Sequence, residues 1–329
     1  MQALVLAGGE GTRLRPLTNT VPKPVIPLVG RPFLGYMIEW LAAHGFTEVI
    51  LSCMFLAGDI RRVLGDSDWK GTRLHYVEEP EPRGTAGAVK FAEDVLGDRF
   101  AVLNGDILTD FDISVLWRRH EELGGRATIT LMEVDDPSAY GLVLRNPDDS
   151  VSDFIEKPEQ APPGGAFVNA GAYVLEHDVL DLVAPEGSVS FEREVFPALI
   201  GDGLYGFPTE GYWLDIGTPE RYLAATRYLL DKSLAGDIHL GEGCEIASGA
   251  RVGPMSVLGD LCRVEDGAVV EQAVLFDRAQ VERDALVRDS VVGTGATIGA
   301  GARLEDETIV ADGAVVEPGA ALSGARIER

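Results

Sequence analysis

Basic residues are scarce in this chain: 28 lysines and arginines stand against 53 aspartates and glutamates, giving a formal net charge of −25. Such a field repels nucleic acid and anionic lipid at long range, so neither is an expected partner. Cysteine is scarcer still. Cys53, Cys244 and Cys262 are too few and too dispersed for a disulfide framework, and no CxxC pair suggests zinc. Apolar runs of about 18 residues are absent, so no membrane span is expected. The amino terminus opens on a strand pattern instead of a basic segment followed by a cleavable apolar stretch. A reduced, cytoplasmic protein is the expectation, and 329 residues leave room for two domains.

Two periodicities divide the chain. Up to about residue 233, strand and helix patterns alternate: QALVLA, then RPFLGYMIEWLAAHG; TEVILSC, then LAGDIRRVLGD; TRLHYVEE, then TAGAVKFAEDVLG; RFAVLNGD, then ISVLWRRHEELGG and the strand ATITLMEV. This predicts an α/β domain over residues 1–233 with a Rossmann-like, mostly parallel sheet flanked by helices. YGLVLRN, VSDFIEKP and NAGAYVLE read as short strands that extend the sheet and wall a pocket. TPERYLAATRYLLDKSLAG reads as a closing helix capped by its threonine.

Over residues 234–329 apolar residues return every six positions, at Ile246, Val252, Leu258, Val264, Val270 and Phe276. After slips near residues 281 and 292 they resume at Ile298, Leu304, Val310, Val316 and Leu322. That period predicts a parallel β-helix of about five three-sided coils. Stacks of this kind have open ends and flat faces, which favours self-association.

Within this acidic chain the loop after the first strand is basic and glycine-rich: Leu6, Ala7, Gly8, Gly9, Glu10, Gly11, Thr12, Arg13. Glycines let backbone amides converge on an anion, and an arginine fork suits phosphate oxygens. The loop is neither a Walker loop nor a GxGxxG fingerprint. Lys23 follows between Pro22 and Pro24, which hold it extended.

LAGGEGTRLRPLT followed by PKP resembles the signature of the sugar nucleotidyltransferases, and EPRGTAGAV, VLNGDIL, YGLVL, IEKP, VNAGAYVL, FEREVFPAL and GYWLDIGTPERYL follow in family order. Among subfamilies the text is most similar to mannose-1-phosphate guanylyltransferases, including those that carry a left-handed β-helix of hexapeptide repeats. The resemblance implies attack of a sugar 1-phosphate oxygen on the α-phosphorus of a nucleoside triphosphate, with pyrophosphate leaving. It implies Mg²⁺ held by Asp106 and Asp215, with Arg13 and Lys23 as the catalytic cations. It places the nucleotide against Leu6, Ala7, Gly8, Gly9, Gly11, Thr12, Arg13, Glu79, Gly84, Thr85 and Asp106. The sugar phosphate falls to Gly141, Glu156, Lys157, Asn169 and Glu192, although FEREVFP offers Glu194 as a second glutamate.

A carboxylate accepts from the adjacent N1–H and N2–H₂ donors of guanine, whereas an amide matches thymine or uracil. Glu79 therefore favours GTP, with Glu78 in the same role should the register shift by one. Arg83 stands where a leucine is common in guanylyltransferases and Gly105 where a serine is frequent. Mannose 1-phosphate follows from the subfamily likeness, since no single residue separates it from glucose or a heptose. Thymidylyl or uridylyl transfer to glucose 1-phosphate, and a silent regulatory subunit that binds nucleotide-sugar, remain open readings. Acyl transfer by the tail would call on a histidine base. The tail holds only His239, so it reads as structural or regulatory, and as the means of homo-oligomerisation. His44, His75, His120 and His177 read as incidental.

Overall fold

The computed structural model describes residues 1–54, 57–158, 166–232 and 237–329, which form two units. One unit comprises Met1–Gly9 and Leu34–Trp213; the other comprises Glu10–Phe33 and Leu214–Arg329. The expected boundary between residues 233 and 234 lies outside the described residues.

In the first unit β1 (Gln2–Leu6) is followed by α1 (Phe33–Ala43), β2 (Glu48–Cys53), α2 (Ala57–Leu64), β3 (Thr72–Glu78), α3 (Gly84–Phe91), β4 (Arg99–Asn104), α4 (Ile113–Leu123) and β5 (Ala127–Val134). β6 (Gly141–Arg145), β7 (Val151–Glu156), β8 (Ala166–Glu176) and β9 (Leu204–Pro208) complete it. The sheet runs β7-β6-β8-β4-β1-β2-β3 and ends on a short antiparallel edge strand, Asp68–Trp69, while β5 branches from β8 to pair with β9. Only β4-β1-β2-β3 and the β5–β9 pair are parallel; β8 runs antiparallel to β4 and β5, and β6 to β7. The parallel part coincides with the strands joined by helices. The β6–β7 connection is too short for a crossover and closes a hairpin. Helix α3 is shorter than its pattern suggests, ending at Phe91 before a 3₁₀ turn over Glu93–Val95.

Ala3, Leu4 and Val5 are fully buried, as are Val49, Ile50 and Leu51 of the neighbouring strand, because helices cover both faces. Phe191 stacks on Phe196 at 5.3 Å, and Tyr173 meets Phe196 edge-on at 4.9 Å, forming an aromatic floor.

The second unit carries α5 (Pro219–Lys232), where the Thr218 hydroxyl accepts the Arg221 amide at 3.3 Å, and then a three-faced stack of short parallel strands. One face stacks Ile238–Leu240, Ser256–Leu258, Val274–Leu275, Val291–Val292, Ile309–Val310 and Arg326–Ile327. The other two faces hold five strands each, which gives five full coils. The inward residue on the first face is Leu275, paired with Leu258, so Phe276 is not part of the inward ladder. The corner after Val270 is one residue shorter than the corner after Val252, and the slip expected near residue 281 falls there instead.

The middle strands of the first face are apolar on both sides. Their outward residues Val257, Val274, Val291 and Ile309 are 0–3% exposed, like the inward Leu258, Leu275, Val292 and Val310. Arg227 of α5 pairs with Asp289 at 3.0 Å beside this ladder, so α5 is one of the elements fixed there.

Candidate functional site

β1, β2, β3 and β4 all end at one edge of the sheet. Leu6 lies opposite Ser52 on one side and Asn104 on the other. The Ala7 amide donates to the Ser52 carbonyl at 2.8 Å, which carries the chain into Gly8 and Gly9 at the carboxyl ends of the parallel strands. Space around Gly9 is open: a Cβ there meets nothing within 4 Å. Gly105 donates its amide to the Leu6 carbonyl at 2.9 Å, and a Cβ at Gly105 would lie 2.5 Å from that oxygen. Backbone closeness therefore favours glycine at position 105, and it sets Asp106 beside the glycine loop.

Glu79 stands over the same edge. Ser52 Oγ donates to Glu79 Oε1 at 2.7 Å, and that oxygen lies 3.7 Å from where a Gly8 Cβ would be. Burial raises the Glu79 carboxyl above its ordinary value, opposed by the Ser52 hydroxyl and the Arg83 backbone amide. Glu78 is exposed and bonds to Arg61 Nη2 at 3.2 Å, so the register places Glu79, not Glu78, beside the loop. The Arg83 guanidinium stacks over Phe91, 4.5 Å from its centroid, and donates to the Pro185 carbonyl at 3.3 Å. Gly84, at φ +70, would drive a Cβ to 2.5 Å from the Val189 carbonyl oxygen, so only glycine fits this start of α3.

A second group of side chains converges on Glu192. Thr85 Oγ1 donates to Glu192 Oε2 at 2.8 Å and Ser190 Oγ donates to the same oxygen at 2.6 Å. Tyr173 Oη, fully buried, donates to Glu192 Oε1 at 3.3 Å and accepts from Asn169 Nδ2 at 2.9 Å. The Gly171 amide donates to Asn169 Oδ1 at 2.9 Å. Glu194 turns away to accept the Ser190 amide at 3.0 Å, which separates the two glutamates of FEREV. On the antiparallel pair β6–β7, Gly141 lies opposite Glu156, and a Cβ at Gly141 would sit 3.2 Å from Glu156 Oε2. Lys157 is exposed, adopts φ +51 and donates its amide to the Tyr140 carbonyl at 2.9 Å. Trp213 Nε1 donates to the Ala170 carbonyl at 2.8 Å and its ring meets Tyr140 edge-on at 5.1 Å.

In the second unit the loop continues through Gly11, Thr12 and Arg13 into a 3₁₀ turn, with Thr12 and Arg13 exposed. Lys23 is 7% exposed, and its Cβ lies 2.9 Å from where a Gly11 Cβ would be. Thr18 Oγ1 donates to the Gly11 carbonyl at 2.8 Å. Asp215 and Arg13 meet around Gly217: a Cβ there would lie 2.7 Å from Asp215 Oδ1 and 2.8 Å from Arg13 Nη2. Arg221 Nη1 stands 2.7 Å from Asp215 Oδ2.

Asp106 and Asp215 offer hard oxygen donors, the kind a hard divalent cation takes together with phosphate oxygens. Among the described residues no group of three or more His, Cys, Asp or Glu side chains is placed to hold a metal ion alone. Ser52, Tyr173, Trp213 and Arg221 were not singled out in the sequence. Ser52 is signalled only as a polar residue at the end of an apolar strand, and Arg221 by its place in the first turns of α5.

No helix among the described residues is long and apolar enough to cross a membrane. Residues 2–232 match the family model for nucleotidyl transferases, and residues 234–328 match that of the GMPPB C-terminal domain. A mannose-1-phosphate guanylyltransferase of Mycobacterium tuberculosis is 36% identical over 301 residues, covering 87% of this chain and 83% of the relative. A mannose-1-phosphate guanyltransferase of Kluyveromyces lactis is 38% identical over 262 residues, covering 77% of this chain and 72% of the relative. The crystal structure of HddC from Yersinia pseudotuberculosis superposes with a TM-score of 0.60 at 31% identity, covering 69% of this chain and 99% of HddC. The same protein complexed with GMP-PN gives 0.59 at 30% identity, with the same coverage. The chain therefore belongs to the nucleotidyl transferase family.

Proposed function

We propose that this nucleotidyltransferase joins GTP to mannose 1-phosphate, giving GDP-mannose and pyrophosphate. The observation that carries guanine is Glu79: a half-buried carboxylate, fixed by Ser52 beside Gly8, presents acceptors to the adjacent N1–H and N2–H₂ donors of the base. Mannose is supported by the relatives of that name, which share 33–38% identity with the chain.

The nucleophile is already an anion, so the residues must bring two anions together and neutralise the charge gathering on the transferred group. The amides of Gly8, Gly9 and Gly11 cradle the triphosphate, with Leu6, Ala7 and Thr12 setting the path of the loop. Arg13 and Lys23 supply fixed positive charge to it. Gly84 and Thr85 shape the floor behind Glu79. Lys157 receives the sugar phosphate, while Glu156, Asn169 and Glu192 accept or donate to ring hydroxyls and the small Gly141 lets the ring approach. Asp106 and Asp215 would hold Mg²⁺, which when bound lends positive charge to the phosphate oxygens.

We place the domain division at residues 1–233 and 234–329, and the protein in a reducing, cytoplasmic setting compatible with its three free thiols. Self-association through the β-helix is supported by its first coil, where the inward residues Leu240 and Ile246 are 49% and 38% exposed.

The test is pyrophosphate release from a matrix of GTP, dTTP, UTP, ATP and CTP against mannose, glucose and heptose 1-phosphates. Turnover with GTP and mannose 1-phosphate is expected. Product from dTTP or UTP, with none from GTP, would replace the guanine assignment.

A further inference from the structure

Residues 10–33, which contain the signature loop, belong to the same unit as the β-helix, and three contacts show how they are fastened to it. Thr20 Oγ1 donates to Asp312 Oδ2 at 2.6 Å, and Asn19 Nδ2 donates to Glu328 Oε2 at 3.4 Å, both at the last coils. Ten residues later Gly30 packs so closely on the His239 ring, on the first coil, that any Cβ there would collide with Nε2. Between these points the backbone of Pro27 accepts the Tyr222 hydroxyl of α5.

We propose that the first face of the β-helix is a clamp that positions Gly11 and Lys23, with Thr20, Asp312 and His239 as positioning residues. This inference rests on the reading of that loop as the triphosphate cradle. The span is feasible. From the coil of His239 to that of Ile309 is four steps of about 4.8 Å, or roughly 19 Å. The segment from Thr20 to Gly30 reaches at most about 35 Å when extended, which leaves slack for its 3₁₀ turn. The outward ladder between the two fixed ends (Val257, Val274, Val291, Ile309) is buried, as are Val25, Ile26 and Leu28 of the segment.

Two details show how the segment is fastened. Val29 and Gly30 close the two-residue hairpin between Leu28 and Arg31 with φ of +46 and +71. A β-branched residue in that region is held there only by its surroundings. Asp312 is also oriented for the task. Its Oδ1 accepts the Thr294 amide at 2.7 Å, the same coil-to-coil bond that Asp277 makes with the Asp260 amide at 2.9 Å. That bond leaves Oδ2 for Thr20. Lys23 lies three residues beyond Thr20 and rests on Gly11, so movement at Thr20 reaches the cradle directly.

The experiment compares Thr20→Val, Thr20→Ser and His239→Ala with Asp277→Ala, a control that loses a coil bond without loosening the clamp. Amide hydrogen exchange over residues 10–30 is read without substrates, and GTP KM and kcat are read separately. Thr20→Val and His239→Ala should speed exchange over the segment and raise GTP KM by about threefold or more, with a smaller change in kcat. Thr20→Ser should restore both, and Asp277→Ala should lower the thermal midpoint with GTP KM unchanged. Wild-type exchange and GTP KM in both Thr20→Val and His239→Ala would overturn the clamp while the activity stands. A wild-type protein that releases pyrophosphate from no triphosphate would remove the activity, and the exchange result would still judge the clamp.

Discussion

Arg221 Nη1 lies 2.7 Å from Asp215 Oδ2, and Arg13 approaches the same carboxylate across Gly217. A carboxylate proposed for a cation thus has two guanidiniums at hand. Arg221 fixes the rotamer of Asp215 but also dilutes its negative charge. Arg221→Met should therefore lower kcat by about tenfold or more through lost orientation, while the apparent Mg²⁺ activation constant falls because the guanidinium no longer offsets the field of the carboxylate. A Mg²⁺ titration of initial rates checks this. An activation constant that rises would mean that holding the Asp215 rotamer outweighs the charge that Arg221 offsets, and one that stays unchanged would reduce Arg221 to a structural role. Asp215→Asn and Asp106→Asn should each lower turnover by orders of magnitude with the thermal midpoint nearly kept.

Glu79 gives a pH dependence with a definite sign. Guanine recognition needs the carboxylate, and burial raises its pKa, so recognition is present above that raised value and is lost as pH falls through it. GTP KM should climb on the acid side at a pH above the ordinary glutamate range of about 4.3. Ser52→Ala removes a hydrogen bond that favours the charged form. The acid limb should then move to higher pH. In Glu79→Gln the limb should vanish and preference for GTP over UTP should weaken. An acid limb that survives Glu79→Gln would assign it to another group.

Tyr173 links Asn169 to Glu192 from a fully buried position. Tyr173→Phe leaves both polar partners without the hydroxyl, at a cost of about 1–3 kcal/mol in stability. Because the two partners are the proposed ring-hydroxyl contacts, the KM for the sugar phosphate should rise while that for GTP stays within about twofold. Equal effects on both KM values would reduce Tyr173 to a packing role.

How much of this was legible in the residues differs by scale. The alternation of strand and helix up to β5 read correctly because each parallel strand, covered on both faces, is a continuous apolar run such as Ala3–Val5. The antiparallel half was less visible, since direction follows from loop length and pairing partner, which no local pattern states. The motifs locate Glu79 and Asp106 just past the ends of β3 and β4, and Glu192 in the helical turn Phe191–Val195. The residues that orient them were silent, because Ser52 and Tyr173 meet their partners across 27 and 19 positions of sequence. His239 read as a lone histidine of the tail. Its contact with Gly30 joins positions more than two hundred residues apart, and no periodicity encodes that.

The β-helix allows the sharpest test of a pattern read from sequence. Period alone predicted Phe276 as inward, yet the inward position is Leu275, because the corner before it is one residue short. The two ladders should differ in energetic weight, and residues on neighbouring coils allow the comparison. Leu304, inward and fully buried, should cost about 2–5 kcal/mol when cut to alanine, from lost transfer energy and the cavity left behind. Val315, outward and 63% exposed, should change stability by less than about 0.5 kcal/mol. Urea unfolding of Leu304→Ala and Val315→Ala measures both. Comparable losses would mean that Val315 is covered in solution, which would locate a self-association surface on that face.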